Sequence, residues 1–188
     1  AVAGRDRTDD ALVVLNRLAD QTGVEGLRAL HRALILEYSG RIDEAGEAYR
    51  EAMAIQGVGP RGVDALGRFL RRTERTEEAE ALYSSLAERV PDSPIASIGL
   101  SEIDDGIVPA ALISTPAQGA AEGLFALASS LTGENNSDIA VIYFNIAIYL
   151  RPDFELARAF LGNRYERMDK YSKAIEVYSG ISPQSPYY

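Results

Sequence analysis

The residues of this 188-residue chain with the chemistry to catalyse or to bind a metal are few and scattered. His31 is the only histidine, and there is no cysteine. Histidine metal clusters, thiolate zinc sites, thiol nucleophiles and disulfides are therefore absent together. A lone histidine within a helical pattern reads as structural or exposed. Asp9-Asp10 and Asp104-Asp105 are adjacent carboxylate pairs, the raw material of acid–base or metal chemistry. Each stands near a helix end with no second cluster at ligand spacing, which favours capping or solvation. Gly57-Val58-Gly59-Pro60-Arg61-Gly62 matches the G-x-G-x-x-G pattern. That pattern holds a dinucleotide only between a strand and a helix, whereas here a helix precedes it, so it reads as a turn. Asn135-Asn136-Ser137 is formally a glycosylation sequon but reads as the turn and cap before a helix. No catalytic residue, metal or organic cofactor is expected.

Composition narrows the partners. The chain is 46% hydrophobic with a formal net charge of −9 and a pI near 4.7. Nucleic-acid binding needs a positive surface to release counterions, so no nucleic acid is expected. The longest nearly apolar run, Ile139 to Leu150, is too short to span a bilayer and suits a helix buried on most sides. Ala1 to Asp10 is polar and charged, so no secretory segment opens the chain as given. The lack of cysteine suits the cytoplasm and a bacterial cell envelope alike.

The elements that would position these residues follow an internal period. A small residue precedes an aromatic by four at Ala45/Tyr49, Ala79/Tyr83, Ala140/Phe144 and Ala174/Tyr178. The steps from Ala45 to Ala79 and from Ala140 to Ala174 are both 34 residues, and one step back from Ala45 lands on Ala11. The step from Ala79 to Ala140 is 61, so one unit in the middle is shortened. Twelve residues before each alanine stands a second small residue (Ala33, Gly67, Ala128, Gly162), and twelve after comes Gly23, Gly57, Pro91, Pro152 or Pro186. A small residue lets two helices approach, and the aromatic fills the gap beside it. Ser93-Pro94, Thr115-Pro116 and Ser185-Pro186 each place a cap before a proline suited to the first helical position. The patterning predicts helices over 8–21, 24–39, 41–55, 60–73, 75–90, 94–104, 116–132, 134–150, 153–168 and 171–180, with turns at Gly40, Thr73 to Arg75, Gly133 and Asp169. Residues 105–115 stand where a second helix is due, yet Gly106 and Pro109 break them, so an extended, packed segment is expected.

A 34-residue helix–turn–helix unit with these small, aromatic and terminal proline positions resembles the tetratricopeptide repeat family. Pentatricopeptide repeats are slightly longer and usually basic RNA binders, which the acidic balance disfavours. The resemblance implies an all-α, right-handed solenoid of stacked antiparallel helix pairs, about ten helices in one array. Its parts are a half repeat 1–25, repeats 26–59 and 60–93, a shortened irregular unit 94–120, and repeats 121–154 and 155–188. It also resembles the middle of long bacterial proteins of the family, which implies an internal segment. If so, Leu12, Leu15 and Leu18 of the first helix lie partly uncovered, a place for weak self-association through the array ends.

In that family the first helix of each unit lines a concave groove. At about 100° per residue, Val63, Leu66, Phe69 and Leu70 form the buried stripe of helix 60–73, with Arg61, Arg68 and Arg72 opposite and Arg71 alongside. Leu34 and Tyr38 are the equivalents of Arg68 and Arg72 one unit earlier. The arginines read either as a solvated face or as part of a groove for a peptide with acidic and apolar residues. The lysine-and-asparagine clamp of chaperone-binding members is absent: Leu30, Leu34, Ala65, Ile95 and Gly99 occupy its positions. The resemblance implies a protein–protein interaction scaffold binding a peptide or protein partner. A self-associating structural segment, or the accessory domain of an enzyme, are its rivals.

Overall fold

The computed structural model describes residues 7–20, 23–55, 58–131 and 137–188. The described residues form ten helices and no strand. They are α1 (Thr8–Asn16), α2 (Glu25–Tyr38), α3 (Ile42–Met53), α4 (Gly59–Arg72), α5 (Thr76–Arg89), α6 (Pro94–Asp104), α7 (Pro116–Ser130), α8 (Ser137–Leu150), α9 (Glu155–Glu166) and α10 (Tyr171–Tyr178). The chain is all-α and follows the sequence pattern to within a few residues at most helix ends. The larger difference is at α1, which gives way to turns over 17–20 instead of running to 21. Ser185-Pro186 opens no helix; Pro186 and Tyr187 lie in a turn. The expected turn at Gly133 lies outside the described residues.

One turn recurs within the pairs. At Gly40, Glu74 and Asp169 the backbone enters the left-handed region, with φ of 82°, 61° and 57°. Each of these residues donates its N–H three residues back, to Glu37, Arg71 and Glu166. The next residue (Arg41, Arg75, Lys170) donates five back, to Leu36, Leu70 and Tyr165. This double bond is the Schellman ending, which satisfies the last carbonyls of the first helix and turns the chain sharply. It therefore sets the angle at which the second helix packs. Gly106 and Ile107 close α6 with the same two bonds, to Ile103 and Glu102, but Pro109 follows and no second helix forms. Ser93 caps α6, its Oγ accepting the Ala96 N–H at 3.4 Å.

The chain divides into two compact units, 1–116 and 117–188. In the first unit, Tyr83 is the central side chain. A Cβ at Gly67 would sit 2.3 Å from its ring and hydroxyl, and one at Gly99 would sit 2.5 Å from its ring. Only glycine admits the phenol between α4 and α6. Tyr49 and Phe69 stack at 5.1 Å between centroids, a tilted arrangement favourable for aromatic pairs. Leu112 and Ile113 are buried in the same apolar cluster as Leu34, Leu66 and Leu86, so the irregular segment packs as expected, with Pro109 also buried. Leu12, Leu15 and Leu18 are half-buried.

In the second unit, Phe125 gathers Phe144, Phe154 and Phe160 within 5.9 Å of its ring. Gly162 admits the Tyr178 ring at 2.3 Å from where its Cβ would be. One expectation fails here. α8 is not buried on most sides: Ala140, Phe144 and Ala147 face the core, while Ile139, Ile142, Ile146 and Tyr149 are exposed.

Candidate functional site

The arginines of α4 do not form a bare solvated face. Asp64, whose side chain is only 9% exposed, accepts from Arg61 Nη1 and from Arg68 Nε, both at 2.6 Å. The spacings of three and four residues put all three side chains on one helical face. Glu37 of α2, 3% exposed, accepts from Arg72 Nη1 and from the Tyr49 hydroxyl, the latter at 2.5 Å. Arg71 is itself buried and bonds Glu102 of α6 twice, to the carboxylate at 2.7 Å and to the carbonyl at 3.1 Å. Ion pairs thus join α2 to α4 and α4 to α6.

The electrostatics follow from this packing. Burial alone pulls the Arg68 pKa down, but the Asp64 charge and hydrogen bond outweigh it and hold the guanidinium above its ordinary value. Burial pushes the Tyr83 phenol above its ordinary value, and the nearby Asp64 carboxylate adds to the shift. Among the described residues, the guanidiniums of Arg61, Arg68, Arg71 and Arg72 pair with the carboxylates of Glu37, Asp64 and Glu102. The side chains of Arg68 and Arg72 retain 28% and 25% exposure. Arg68 engages Asp64 only through Nε and Arg72 engages Glu37 only through Nη1. Each guanidinium therefore keeps N–H groups for an incoming acceptor.

The remaining candidates fall out as follows. Tyr38 is half-buried at the end of α2, against the core cluster. Leu34 is 1% exposed and belongs to the core. It presents no surface to a ligand, which corrects the groove expected from the helical face alone. His31 Nδ1 donates to the Leu27 carbonyl at 2.9 Å, within its own helix. Asp9 and Asp10 lie in the first turn of α1, where acidic groups suit the helix dipole, and they pair with Arg41 and Arg7. Asp104 and Asp105 are exposed at the end of α6. Gly57 and Asn135-Asn136 lie outside the described residues. Among the described residues no three His, Cys, Asp or Glu side chains group to hold a metal. Among the described residues no helix is long and apolar enough to cross a membrane.

Sequence reasoning overlooked Glu37 and Asp64 and did not pair Glu102, the equivalent of Arg68 one unit later, with Arg71. Asp64 was accessible through its spacing to Arg61 and Arg68. The cross-helix pairs span 35 and 31 residues, close to the 34-residue step, which is the signal that would have found them. A further cleft of about 510 Å³ in the second unit, lined by Glu166, Ile175, Tyr178, Ser179, Ile181, Tyr187 and Tyr188, had no counterpart in the sequence reading.

Helix pairs closed by one recurrent turn, with a small residue against an aromatic at a fixed step, define a helical-repeat protein of the interaction-scaffold class. Residues 29–57 match the family model for the tetratricopeptide repeat. No curated protein matches it by sequence. Solved structures similar to it include MamA MSR-1 C2, at 19% identity and TM-score 0.37, covering 93% of this chain and 85% of that one. MamA AMB-1 P212121 is 19% identical with TM-score 0.38, covering 93% and 87%. MamA 41-end from Desulfovibrio magneticus RS-1 is 14% identical with TM-score 0.39, covering 93% and 84%.

Proposed function

We propose that the face carrying Tyr38, Arg61, Arg68 and Arg72 binds an extended segment of a partner protein with acidic and apolar residues, as the concave groove of one repeat array. The chain acts as a non-catalytic scaffold in this reading. The observation that carries it is the arginine cluster on α4, where Arg68 and Arg72 are partly exposed and keep N–H groups outside their internal pairs. A partner carboxylate would take those donors without displacing the internal pairs, and charge-assisted bonds contribute about 1.5–3 kcal/mol each. Contacts at the rim, open to water, would give under about 1 kcal/mol and weaken with salt. Tyr38 supplies the apolar neighbour, with a hydroxyl at its tip.

The internal pairs also set the choice of variant. Glutamate at 68 or 72 would face the buried Asp64 or Glu37 and unfold the unit before it tested a ligand. Arg68→Gln leaves Asp64 paired with Arg61 and removes one guanidinium. The test places a photo-crosslinking phenylalanine analogue at Tyr38, and at exposed Glu80 as a control, in the native host. Capture of one protein from position 38 and not from 80, lost on Arg68→Gln, supports the reading. Equal capture from both positions, or capture indifferent to Arg68→Gln, refutes it.

A further inference from the structure

We propose that the outer side of α8 is a self-association surface, on which a second copy of this chain docks its own α8 in antiparallel fashion about a two-fold axis. The exposed side chains Ile139, Ile142, Ile146 and Tyr149 fall within an arc of roughly 80° on the helix, opposite the buried Ala140, Phe144 and Ala147. Ile142 is 54% and Tyr149 83% exposed.

The repeat supplies an internal control. The same four register positions on α3 and its C-cap are Glu44, Glu47, Glu51 and Ala54, and on α5 they are Glu78, Ala81, Ser85 and Glu88. On α10 the first two are Lys173 and Glu176. All of these are exposed, and none is a large apolar residue. At the same register from Ala11 stand Asp10, Val13, Arg17 and Asp20, all exposed and with Val13 alone apolar; only α8 fills all four positions with three isoleucines and a tyrosine. A solvated surface has no use for that set, whereas a contact does.

The occupant follows from the spacing. Steps of three, four and three residues read the same in both directions, as an isologous contact requires. In an antiparallel pair Ile142 meets Ile146 of the second copy and Ile139 meets its Tyr149. No charged side chain lies within the stripe. Asn145, beside the stripe, donates one amide N–H to the Val141 carbonyl at 2.7 Å. The antiparallel arrangement also sets each helix N-terminus against the other's C-terminus, which the macrodipoles favour. One such stripe covers about half of the roughly 800 Å² per partner in a standard interface. A reversible dimer is therefore expected, with a dissociation constant in the micromolar range. Because each copy carries a net charge of −9, added salt should tighten it.

Sedimentation equilibrium on the whole chain over a range of concentrations tests this. The mass should climb from the 20.4 kDa monomer toward twice that value. Ile142→Glu with Ile146→Glu should return it to monomer at every concentration with an unchanged helical signal, while Val13→Glu on the exposed side of α1 should leave the dimer intact. The chain has no cysteine, so single cysteines report the geometry. A mixture of Ile142→Cys and Ile146→Cys should form mixed disulfides faster than either forms its own. A wild-type chain that stays monomeric leaves the stripe to another protein or to the rest of this chain, and overturns the proposal. So does a dimer that survives the two glutamates, or one that crosslinks residue 142 to its own equivalent.

Discussion

Replacing Arg72 by methionine isolates the buried pair that joins α2 to α4. Methionine keeps an apolar stem of similar reach but strands Glu37, whose side chain is 3% exposed and whose other partner is the neutral Tyr49 hydroxyl. Removing one member of a buried ion pair costs about 3–5 kcal/mol because the other charge is left without compensation. Arg72 is 25% exposed, so water can approach once it is gone, and the cost falls to the bottom of that range or just below it, about 2–3 kcal/mol. Glu37→Gln keeps a hydrogen-bonding partner for Tyr49 and leaves a guanidinium that can reach solvent, so about 1–2 kcal/mol is expected. The double variant removes both charges and should cost less than the sum of the singles by about 1 kcal/mol or more. Urea unfolding followed by circular dichroism measures all three, reading the transition of the unit 1–116 if the two units melt separately. A loss under about 1 kcal/mol for Arg72→Met, within ordinary surface scatter, or strict additivity in the cycle, would refute a buried, coupled pair.

Three further outcomes are expected. Gly67→Ala should lower stability by about 1–3 kcal/mol through overpacking, since its Cβ would meet the Tyr83 ring at 2.3 Å; an unchanged urea midpoint would contradict the packing. Tyr83 holds its proton more tightly when folded than its ordinary value of 10.0. The stability it confers is therefore complete below about pH 10 and is lost as pH rises toward the folded value. Melting temperature should accordingly fall above that pH, and Tyr83→Phe should flatten the fall. Glu74→Gly should stabilise the chain by up to about 1 kcal/mol by relieving a left-handed non-glycine residue, measured by thermal unfolding, whereas Gly40→Ala at the equivalent turn should do the reverse.

Much of the fold was legible because the repeat writes the same physics several times. Gly40, Thr73 to Arg75 and Asp169 marked turns, and each carries the same left-handed ending. Gly67 with Tyr83 and Gly162 with Tyr178 were read as close approach filled by an aromatic, and the rings lie there. The burial is uneven, since Tyr178 is half-buried and shares its hydroxyl with Glu166 at 3.1 Å, so its truncation should cost less than that of Tyr83. The site was less legible. A helical wheel shows which residues share a face but not what the neighbouring helix brings to it, so Leu34 read as surface although it is core. The same blindness hid the pairings of Glu37 and Glu102, which meet α4 only once the helices lie side by side. For α8, hydropathy alone could not separate burial on most sides from an apolar face left open.

The most direct measurement of the functional claim is an array of extended peptides, varied in net charge and apolar content, probed with the labelled chain and with Arg68→Gln. Acidic, apolar peptides should bind, their binding should weaken as salt rises, and Arg68→Gln should reduce it about tenfold, the equivalent of roughly 1.4 kcal/mol, with the urea midpoint nearly unchanged. Binding that favours basic peptides, or that ignores both salt and Arg68→Gln, would contradict the assignment of this face.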